Sequence, residues 1–481
     1  MKQSIQKYIQ YILVLISAVV LSGAMCSRRP DPFSGVDKEY RDPSNRWEDI
    51  EYLFDLDALP LITLEVSTNE WHTLLETYTR REDVRANFIF EKKGNTERFD
   101  DIGLRTRGGM SLLPPQAISA STREIGEYSN AHFRVSFNTF VESGRFLRQR
   151  NLILRFHNVD PLYARDIFTH DLLRRFGVLA PRASYARVQV RFMESGETVN
   201  YGVHVMTEHI DRSFLRTRFG NNMGFLWKCG DGARLTYPLG AMRASPGRAR
   251  YSMKTHNEER GVLFDNALAE LEYFVENIKT REGKSFETWI EEAMDVEGLL
   301  RATAVMVVVG SWDSYWFNSK NYYLYQDVHR RWHFIPVDFD FTLGTGFEFA
   351  GDGDIDFSTH DVFEWGREEN ILLHKIMQRP KFRAMYAEYL KELLDPENSH
   401  FTPEAVAERI RTWHALIDPY VSPAVVDTMP CVRNNYHIIE DTSKLKRSGG
   451  YPKTFRVLSG DESDNFVIRR INSARKQLGL E

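Results

Sequence analysis

The chain has 481 residues, of which 42% are hydrophobic and 27% are charged, and its formal net charge at pH 7 is −5. This balance is typical of a globular protein with a large core and excludes an intrinsically disordered chain. The slightly acidic net charge also lacks the basic surface that nucleic-acid-binding proteins use, so nucleic acid is not expected as a partner.

The N-terminus has the pattern of an export signal. Two lysines precede an apolar run over residues 8–21, and small residues follow it, so residues 1–24 are predicted to be a cleaved signal. Cys26 permits a second interpretation, in which a lipidated cysteine attaches the exported protein to a membrane. The apolar run is shorter than the roughly 20 residues that a membrane-spanning helix needs. Residues 25–50 are predicted to form a polar linker.

Cysteine usage excludes both a disulfide framework and a cysteine zinc site, because only Cys229 and Cys431 remain beyond Cys26. In an exported protein these two residues can form one bridge. The alternative is two unpaired thiols in the core.

The first half of the chain is predicted to be rich in strands. Alternation of apolar and polar residues predicts strands at LPLITLEVS, ANFIFE, HFRVSF and RNLILRF, and helical spacing predicts helices at TNEWHTLLETY and PLYARDIFTHDLLRRFG. The segment SYARVQVRFMESGETVNYGVHVMTEHI carries a turn signal between two alternating stretches and predicts a hairpin. Residues 51–255 are therefore expected to form a β-rich lobe with antiparallel strands.

Helical patterns dominate the second half. Apolar residues recur at helical spacing in VLFDNALAELEYFVENIKT, VEGLLRATAVMVVVGSW, NILLHKIMQRPKFRAMYAEYLKELL and TPEAVAERIRTWHALIDPYV. Residues 256–481 are therefore expected to form a mainly helical lobe, which makes the predicted fold class α+β in two lobes. Ligand sites are common where two such lobes meet.

Polar side chains gather around one predicted hairpin in the second lobe. Asp313 ends the apolar stretch VMVVVGSW, and Asn318 and Asn321 follow it. The strands YYLYQ and WHFIPVD then form a hairpin that ends at Asp338 and Asp340. Because the outer ends of two paired strands meet, Asp338 is expected to lie near Asn318 and Asn321.

Carboxylate and amide oxygens are ligands that Mg²⁺ prefers, and Mg²⁺ commonly joins them to phosphates. Protein kinases use a catalytic Asp, an Asn five residues later and a second Asp beyond it for this purpose, and Asp313, Asn318 and Asp338 match that order. The chain lacks the His-Arg-Asp motif of kinases and has Asp-Phe-Asp in place of Asp-Phe-Gly. The alternative is that the amides satisfy backbone groups and the carboxylates cap turns.

The chain resembles the spore-coat protein H (CotH) kinase family of atypical, protein-kinase-like proteins. The segments that carry the resemblance are IGLRTRGGMS, VHVMTEHIDRSFLRTRFG, WDSYWFNSKNYYLY, WHFIPVDFDFTLGTGF and NILLHKIMQRPKFRAMY. The resemblance implies a two-lobed atypical kinase fold over residues 51–481 that binds ATP and Mg²⁺, with Mn²⁺ or Ca²⁺ as alternatives. It also implies an exported enzyme that transfers the ATP γ-phosphoryl group to Ser or Thr of a surface or extracellular protein.

The resemblance further assigns roles to the residues of the hairpin. Asp313 becomes the candidate catalytic residue, and Asn318 or Asn321 becomes a metal ligand. Asp338 becomes the principal metal carboxylate, and Asp340 is a second carboxylate of the same site.

Candidate nucleotide contacts come from the first lobe. In RTRGGMS the glycines let the backbone approach phosphates, Arg105 or Arg107 adds charge, and Ser111 adds a hydroxyl. The alternative for this segment is a strand that ends in a turn. Glu208 and Lys228 are candidates for the ion pair with which kinases orient phosphates, against the alternative of solvated surface residues.

One departure from the family supports a rival hypothesis. Relatives typically carry lysines where this chain has Asn130 and Ala131, and Arg134 or Lys228 are candidates to replace the charge. The rival is a catalytically degenerate surface or envelope protein that keeps the fold for assembly or partner binding. A metal-dependent transferase that uses another nucleotide is a third hypothesis.

Overall fold

The computed structural model describes residues 31–34, 36–39, 47–109, 111–119, 121–157, 160, 162–236, 250–255, 262–345, 348–349, 353–421 and 465–480. The structure is mixed, with 38% of residues in helices and 24% in strands, and its N-terminal region is rich in strands, as the sequence predicted. The predicted export signal, Cys26 and Cys431 lie outside the described residues. In the ranges given above, no helix has both the length and the apolar composition of a membrane span.

Seven strands of the described N-terminal region close into a barrel. In spatial order they are β1 (Leu61–Val66), β2 (Val84–Lys92), β3 (Asn95–Arg107), β6 (His132–Ser136), β7 (Asn151–Phe156), β9 (Thr198–Glu208) and β8 (Ala183–Phe192). Neighbouring strands run antiparallel except for β1 and β8, which are parallel. A short hairpin of β4 (Gln116–Ile118) and β5 (Ile125–Tyr128) extends from the chain between β3 and β6.

Alternation along the strands separates the interior of the barrel from its outer face. On β7, Leu152 and Leu154 are fully buried in the barrel core, whereas Arg155 between Leu154 and Phe156 is only partly buried. Two helices, α1 (Trp47–Phe54) and α2 (Thr68–Thr77), add side chains to the same core. The outer face of β7 is therefore available to hold polar side chains toward the rest of the molecule.

A second sheet follows the barrel in the chain. Its strands are β10 (Phe225–Cys229), β11 (Tyr251–Met253), β12 (Tyr322–Gln326) and β13 (Trp332–Pro336), in the order β11-β10-β12-β13. The strands β12 and β13 are the hairpin that the sequence predicted. Because β10 and β11 precede residue 255 and β12 and β13 follow it, the boundary predicted near residue 255 passes through a sheet. Cys229 is buried and unbridged.

Helices make up most of the remaining described chain. They are α3 (Arg165–Arg175), α4 (Arg212–Phe219), α5 (Val262–Thr280), α6 (Gly283–Ala293), α7 (Val296–Val308), α8 (Tyr315–Asn318), α9 (Ile371–Met377), α10 (Pro380–Leu394), α11 (Pro403–Ile417) and α12 (Phe466–Gln477). Two short strands, β14 (Glu348–Phe349) and β15 (Gly353–Asp354), pair after the β12–β13 hairpin. The window predicted as one helix is two, α9 and α10, because Pro380 has no backbone N–H to continue α9.

The helix α3 is unusual because its buried side chains include many polar ones. Arg165, Asp166, Thr169, His170 and Asp171 are each at most 4% exposed. The helix packs against β8 of the barrel and against α7 of the helical region. Buried polar groups need partners, and several of those on α3 find them in the chain that follows β13.

Candidate functional site

The candidate site is built at the end of the β12–β13 hairpin. Val337 N donates a hydrogen bond to Asn321 O at 3.0 Å, which extends the pairing one step beyond the two strands. This contact places Asp338 beside the segment that carries Asn318 and Asn321, which is the proximity that strand pairing predicted. The buried helix α7 leads into the same place, because Asp313 follows its end.

Asp313 is the centre of a small hydrogen-bonded cluster. Asn318 Nδ2 donates to Asp313 Oδ1 at 2.5 Å, and Asn321 Nδ2 donates to Asp313 Oδ2 at 3.0 Å. The one-turn helix α8 ends at Asn318, and the φ of 56° at the following residue, Ser319, turns the chain so that Asn321 returns to Asp313. Lys320 Nζ lies 2.9 Å from Asp313 Oδ1. The carboxylate is thus held by three side chains.

The protonation of Asp313 reflects its burial. Asp313 is 6% exposed, and desolvation raises its pKa above the ordinary value for Asp, although Lys320 and Asn318 act in the opposite direction. A carboxylate with a raised pKa accepts a proton more readily than an ordinary Asp does. No pattern in the sequence singles out Lys320, which lies between Asn318 and Asn321.

Asp338 and Asp340 share one cation, Arg155 of β7. Arg155 Nη2 lies 2.7 Å from Asp338 Oδ1 and 3.4 Å from Asp340 Oδ2. The side chain of Asp338 is 45% exposed, whereas that of Asp340 is 26% exposed and that of Arg155 is 14% exposed. Asp338 is therefore the carboxylate of this pair that is most open to a ligand.

The same charges separate the two carboxylates by pKa. Desolvation raises the pKa of Asp338, but the charges of Arg155, Arg107 and Lys228 outweigh it and hold the pKa below the ordinary value. Desolvation and the negative charge of Asp338 raise the pKa of Asp340 well above the ordinary value. Asp338 is therefore the member of the pair that ionises first.

Two cations that act on Asp338 have no partners of their own. Arg107 lies at the end of β3 and is half-buried, and Lys228 lies on β10 beside Tyr323 of β12. Among the described residues, neither side chain makes a hydrogen bond or an ion pair. The side chain of Lys228 is exposed to solvent, but partial desolvation and the charges of Arg107 and Lys254 lower its pKa to about 8. A bound anion would relieve this repulsion, so the pair can receive a phosphate.

The predicted pair of Glu208 and Lys228 does not form. Glu208 is 2% exposed, and Arg218 of α4 donates two hydrogen bonds to its carboxylate, at 2.7 Å and 2.6 Å. Because this bidentate pair already satisfies the carboxylate, Glu208 supports the fold and leaves Lys228 unpaired.

Two further predicted contacts stand apart from Asp338. Arg105 donates to Arg81 O at 2.7 Å and lies 3.6 Å from Asp83, so its side chain is engaged on the barrel surface. Ser111 follows the turn at Gly108, whose φ is 141° and where a Cβ would lie 2.7 Å from Leu112 N. In the part of the chain that the structure describes, no hydrogen bond joins Ser111 to the other site residues.

Asn130 and Ala131, which stand where relatives were expected to carry lysines, immediately precede β6 of the barrel. Ala131 is 2% exposed and belongs to the barrel core, and its carbonyl accepts a hydrogen bond from His204 Nε2 at 3.1 Å, if that nitrogen carries the proton. Arg134, a candidate replacement, lies 3.3 Å from Asp83 and donates to Asn151 at 2.6 Å. Of the two candidates, Lys228 is the one without a partner among the described residues, so it can replace the charge.

The donor set fits a hard divalent cation that is also held by phosphate. Because Asn318 and Asn321 turn their amide nitrogens to Asp313, their oxygens are the atoms left for a cation, and Asp338 adds an exposed carboxylate. Within the described ranges, no group of three or more His, Cys, Asp or Glu side chains is arranged to hold a metal. A cation here would therefore need further ligands such as phosphate oxygens, which is common for Mg²⁺.

Sequence reasoning missed Arg155 and Asp166, which hold the acidic end of the hairpin. Arg155 Nη1 lies 3.1 Å from Asp166 Oδ2, and both residues are far from Asp338 in the chain. The sequence signals were that Arg155 is a charged residue beside the last apolar position of a strand, and that Asp166 is an acid at the start of a helix. Neither signal indicates which residue the side chain pairs with.

Fold and site together define a mixed α and β protein in which Asp313, Asp338 and Asp340 lie at the base of a hairpin, and the charges of Arg107 and Lys228 act on Asp338. The chain belongs to the CotH family, because the family model described as CotH kinase protein matches residues 104–428, more than half of the chain. The inner spore coat protein H of Bacillus subtilis is 25% identical over 309 residues, which cover 62% of this chain and 76% of that protein.

Two fungal proteins are also similar. Spore coat protein homolog 1 of Rhizopus delemar is 23% identical over 258 residues, 52% of this chain, and invasin CotH2 of the same organism is 24% identical over 131 residues, 27% of this chain. The matched segments span only 39% and 22% of the lengths of these two relatives.

Proposed function

We propose that this chain is an exported, two-lobed, kinase-like phosphotransferase that moves the γ-phosphoryl group of ATP to a Ser or Thr hydroxyl of a surface or extracellular protein. The observation that carries the proposal is that Asp338, which pairs with Arg155 of β7, is acted on by the charges of Arg107 on β3 and Lys228 on β10, two cations without a partner among the described residues. Such an arrangement suits a phosphate group that is bound through cations on one side and through a divalent metal on the other.

In this proposal Asp313 receives the proton of the acceptor hydroxyl. The acceptor oxygen forms a bond to the γ-phosphorus, the bond from that phosphorus to the β,γ-bridging oxygen breaks, ADP leaves, and the acceptor proton passes to the Asp313 carboxylate. The hydrogen bonds from Asn318 and Asn321 and the ion pair with Lys320 fix the orientation of this carboxylate. A raised pKa favours proton uptake.

Mg²⁺, or Mn²⁺ or Ca²⁺ in its place, would supply electrostatic stabilisation of the phosphate oxygens. Asp338 and the amide oxygens of Asn318 and Asn321 are the groups of this chain that would hold it, with Asp340 as a second carboxylate. Arg107 and Lys228 would neutralise phosphate oxygens directly. The oxygen donor set at the hairpin base and membership of the CotH family support both the metal and ATP.

Location at the surface is supported by the relatives. Their names describe spore coat proteins and invasins, and the predicted export signal agrees with those names. We include attachment through a lipid on Cys26 as an alternative to secretion.

A second candidate function is that of a catalytically degenerate CotH-like protein that acts in assembly or partner binding. The observation that favours it is that both acids already have cations, since Lys320 lies 2.9 Å from Asp313 and Arg155 lies 2.7 Å from Asp338. The pair of Glu208 with Arg218 favours it as well, because Glu208 then does not form with Lys228 the ion pair with which kinases orient phosphates.

The test is ATP binding and transfer by the chain without its predicted export signal. Calorimetry with Mg²⁺, Mn²⁺ or Ca²⁺ should detect metal-dependent ATP binding, and Asp338→Ala should remove it and lower phosphoryl transfer by about 100-fold or more. Asp101→Ala is the matched control, because Asp101 is also an exposed acid that pairs with an arginine, Arg85 of β2, and that has a positive φ, of 56°. If wild-type protein binds no ATP with any metal, the assembly protein becomes the better hypothesis.

A further inference from the structure

The tripeptide Asp338–Phe339–Asp340 has a conformation that needs outside support. Asp338 has a φ of 69°, in the left-handed region that residues other than glycine rarely adopt. Such conformations persist where the surroundings over-determine them, and they are concentrated at functional sites. The carboxylates on either side of Phe339 also repel each other, so their separation requires a counter-charge.

Arg155 and Asp166 hold this tripeptide at three points. One guanidinium nitrogen of Arg155 lies 2.7 Å from Asp338 Oδ1 and 3.4 Å from Asp340 Oδ2. The other nitrogen lies 3.1 Å from Asp166 Oδ2. Asp166 Oδ1 accepts a hydrogen bond from Phe339 N at 3.3 Å. We refer to Arg155 and Asp166 as the clamp.

The helix α3 anchors the clamp to the residues that follow. Arg165 Nε donates to Thr342 O at 3.1 Å, and Thr169 Oγ1 lies 3.2 Å from Thr342 Oγ1. The ring of His170 meets the ring of Phe339 edge-on, with centroids 4.7 Å apart. Together with the Phe339 N–H, these contacts give partners to Arg165, Asp166 and Thr169, three of the buried polar side chains that the sequence of α3 alone did not explain.

We propose that Arg155 and Asp166 are positioning residues, which set the direction of the Asp338 carboxylate and the separation of Asp338 from Asp340. The proposal rests on the proposed function, because the Asp338 carboxylate would have to be oriented in this way to bind the metal of a metal-bound polyphosphate. Arg155 itself is not a phosphate contact, since three carboxylates surround its guanidinium and its side chain is 14% exposed. Its role is to act through Asp338.

The proposed role of the clamp can be tested by a variant whose effect on the orientation of Asp338 differs from general destabilisation of the fold. Arg155→Met should weaken the binding of ATP with Mn²⁺ by at least about 10-fold, as the loss of a group that orients a metal ligand commonly does. Binding of tripolyphosphate without metal should change far less, because Arg107 and Lys228 remain. Arg155→Lys should recover part of the Mn²⁺-dependent binding, since an ammonium group keeps the charge but loses the forked geometry.

Two further variants complete the test by calorimetry. Asp166→Asn keeps the size of the side chain and should also weaken Mn²⁺-dependent binding, which covers the case in which Arg155→Met does not fold. Arg218→Met is the matched control, because it breaks an ion pair of similar burial that does not touch Asp338. The control should keep Mn²⁺-dependent binding within about twofold of wild type.

Wild-type affinity in both Arg155→Met and Asp166→Asn, with Asp338→Ala inactive, would overturn the clamp and leave the proposed function intact. If wild-type protein binds no ATP with Mn²⁺, the proposed function fails, and chemical denaturation of Arg155→Met, Asp340→Asn and the double variant decides the clamp. A double variant that is less destabilised than the sum of the single variants supports it. Additive effects would overturn it.

Discussion

Gly366, in the segment between β15 and α9, sets how closely this segment approaches the loop that carries Asp313. A Cβ at Gly366 would overlap the indole ring of Trp316, which lies on α8 between Asp313 and Asn318. Trp316 is 5% exposed, so its ring has little room to move aside. The absence of a side chain at position 366 therefore permits the packing behind the candidate catalytic residue.

At this residue scale we predict that Gly366→Ala lowers the free energy of unfolding by about 1–3 kcal/mol, because extra volume in a packed core forces side chains and backbone to shift. The midpoint of chemical denaturation measures the change. Gly109→Ala is the control, because no atom lies within 4 Å of a Cβ at that position. Equal midpoints for the two variants would contradict the packing described here.

The β12–β13 hairpin is held at its far end by a histidine between two carboxylates. His333 Nε2 lies 3.0 Å from Asp327 Oδ2 in the turn, and His333 Nδ1 lies 3.7 Å from Asp295 Oδ2 at the start of α7. Desolvation lowers the pKa of His333, but the two carboxylates outweigh it and hold the pKa above the ordinary value of 6.5. Arg331, 3.9 Å from Asp295, is the other nearby cation.

At this element scale the raised pKa predicts a pH-dependent contribution to stability. The folded state binds the proton more tightly than the unfolded state, so the stabilisation is complete below about pH 6.5 and is lost as pH rises through the folded pKa. The glutamine side chain of the His333→Gln variant cannot ionise. The difference in unfolding free energy between wild type and His333→Gln should therefore shrink from about pH 6 to about pH 9. A difference that is constant with pH would show that folding leaves the pKa of His333 unchanged.

The whole molecule extends beyond the segment that the CotH family model matches. The match ends at residue 428, yet α12 lies later in the chain and places Phe466, Val467, Arg470 and Ala474 in the core of the helical region, each 0% exposed. A Cβ at Gly310, three residues before Asp313, would lie 2.7 Å from Phe466 Cζ. The C-terminal helix therefore packs directly behind the candidate catalytic loop.

At this scale we predict that Phe466→Ala lowers the free energy of unfolding by about 3–5 kcal/mol, the range for removing a buried aromatic ring. Tryptophan fluorescence during chemical denaturation follows the loss. Leu480→Ala, at a position that is 39% exposed, is the control and should change little. A tolerated Phe466→Ala would mean that α12 is dispensable for the fold.

Sequence patterns were sufficient to predict many of the individual strands and helices. Alternation of apolar and polar residues predicted the strands β1, β2, β6 and β7 and the β8–β9 hairpin. Consecutive side chains of a strand point to opposite faces, so a strand with one buried face alternates in polarity along the sequence. Local turn chemistry similarly predicted the β12–β13 hairpin and hence the approach of Asp338 to Asn321. Family resemblance supplied the roles that local patterns cannot.

Closure of the barrel, the sheet that crosses residue 255 and the partners of the charged residues were decided only by the tertiary structure. An arginine shows no preference in sequence for one distant carboxylate over another, because ion pairing depends on distance in space and on burial. Glu208 thus pairs with Arg218, and Lys228 has no partner in the part of the chain that the structure describes. The sequence by itself determined which acids stand at the hairpin base, and the fold decided that Arg155 holds two of them.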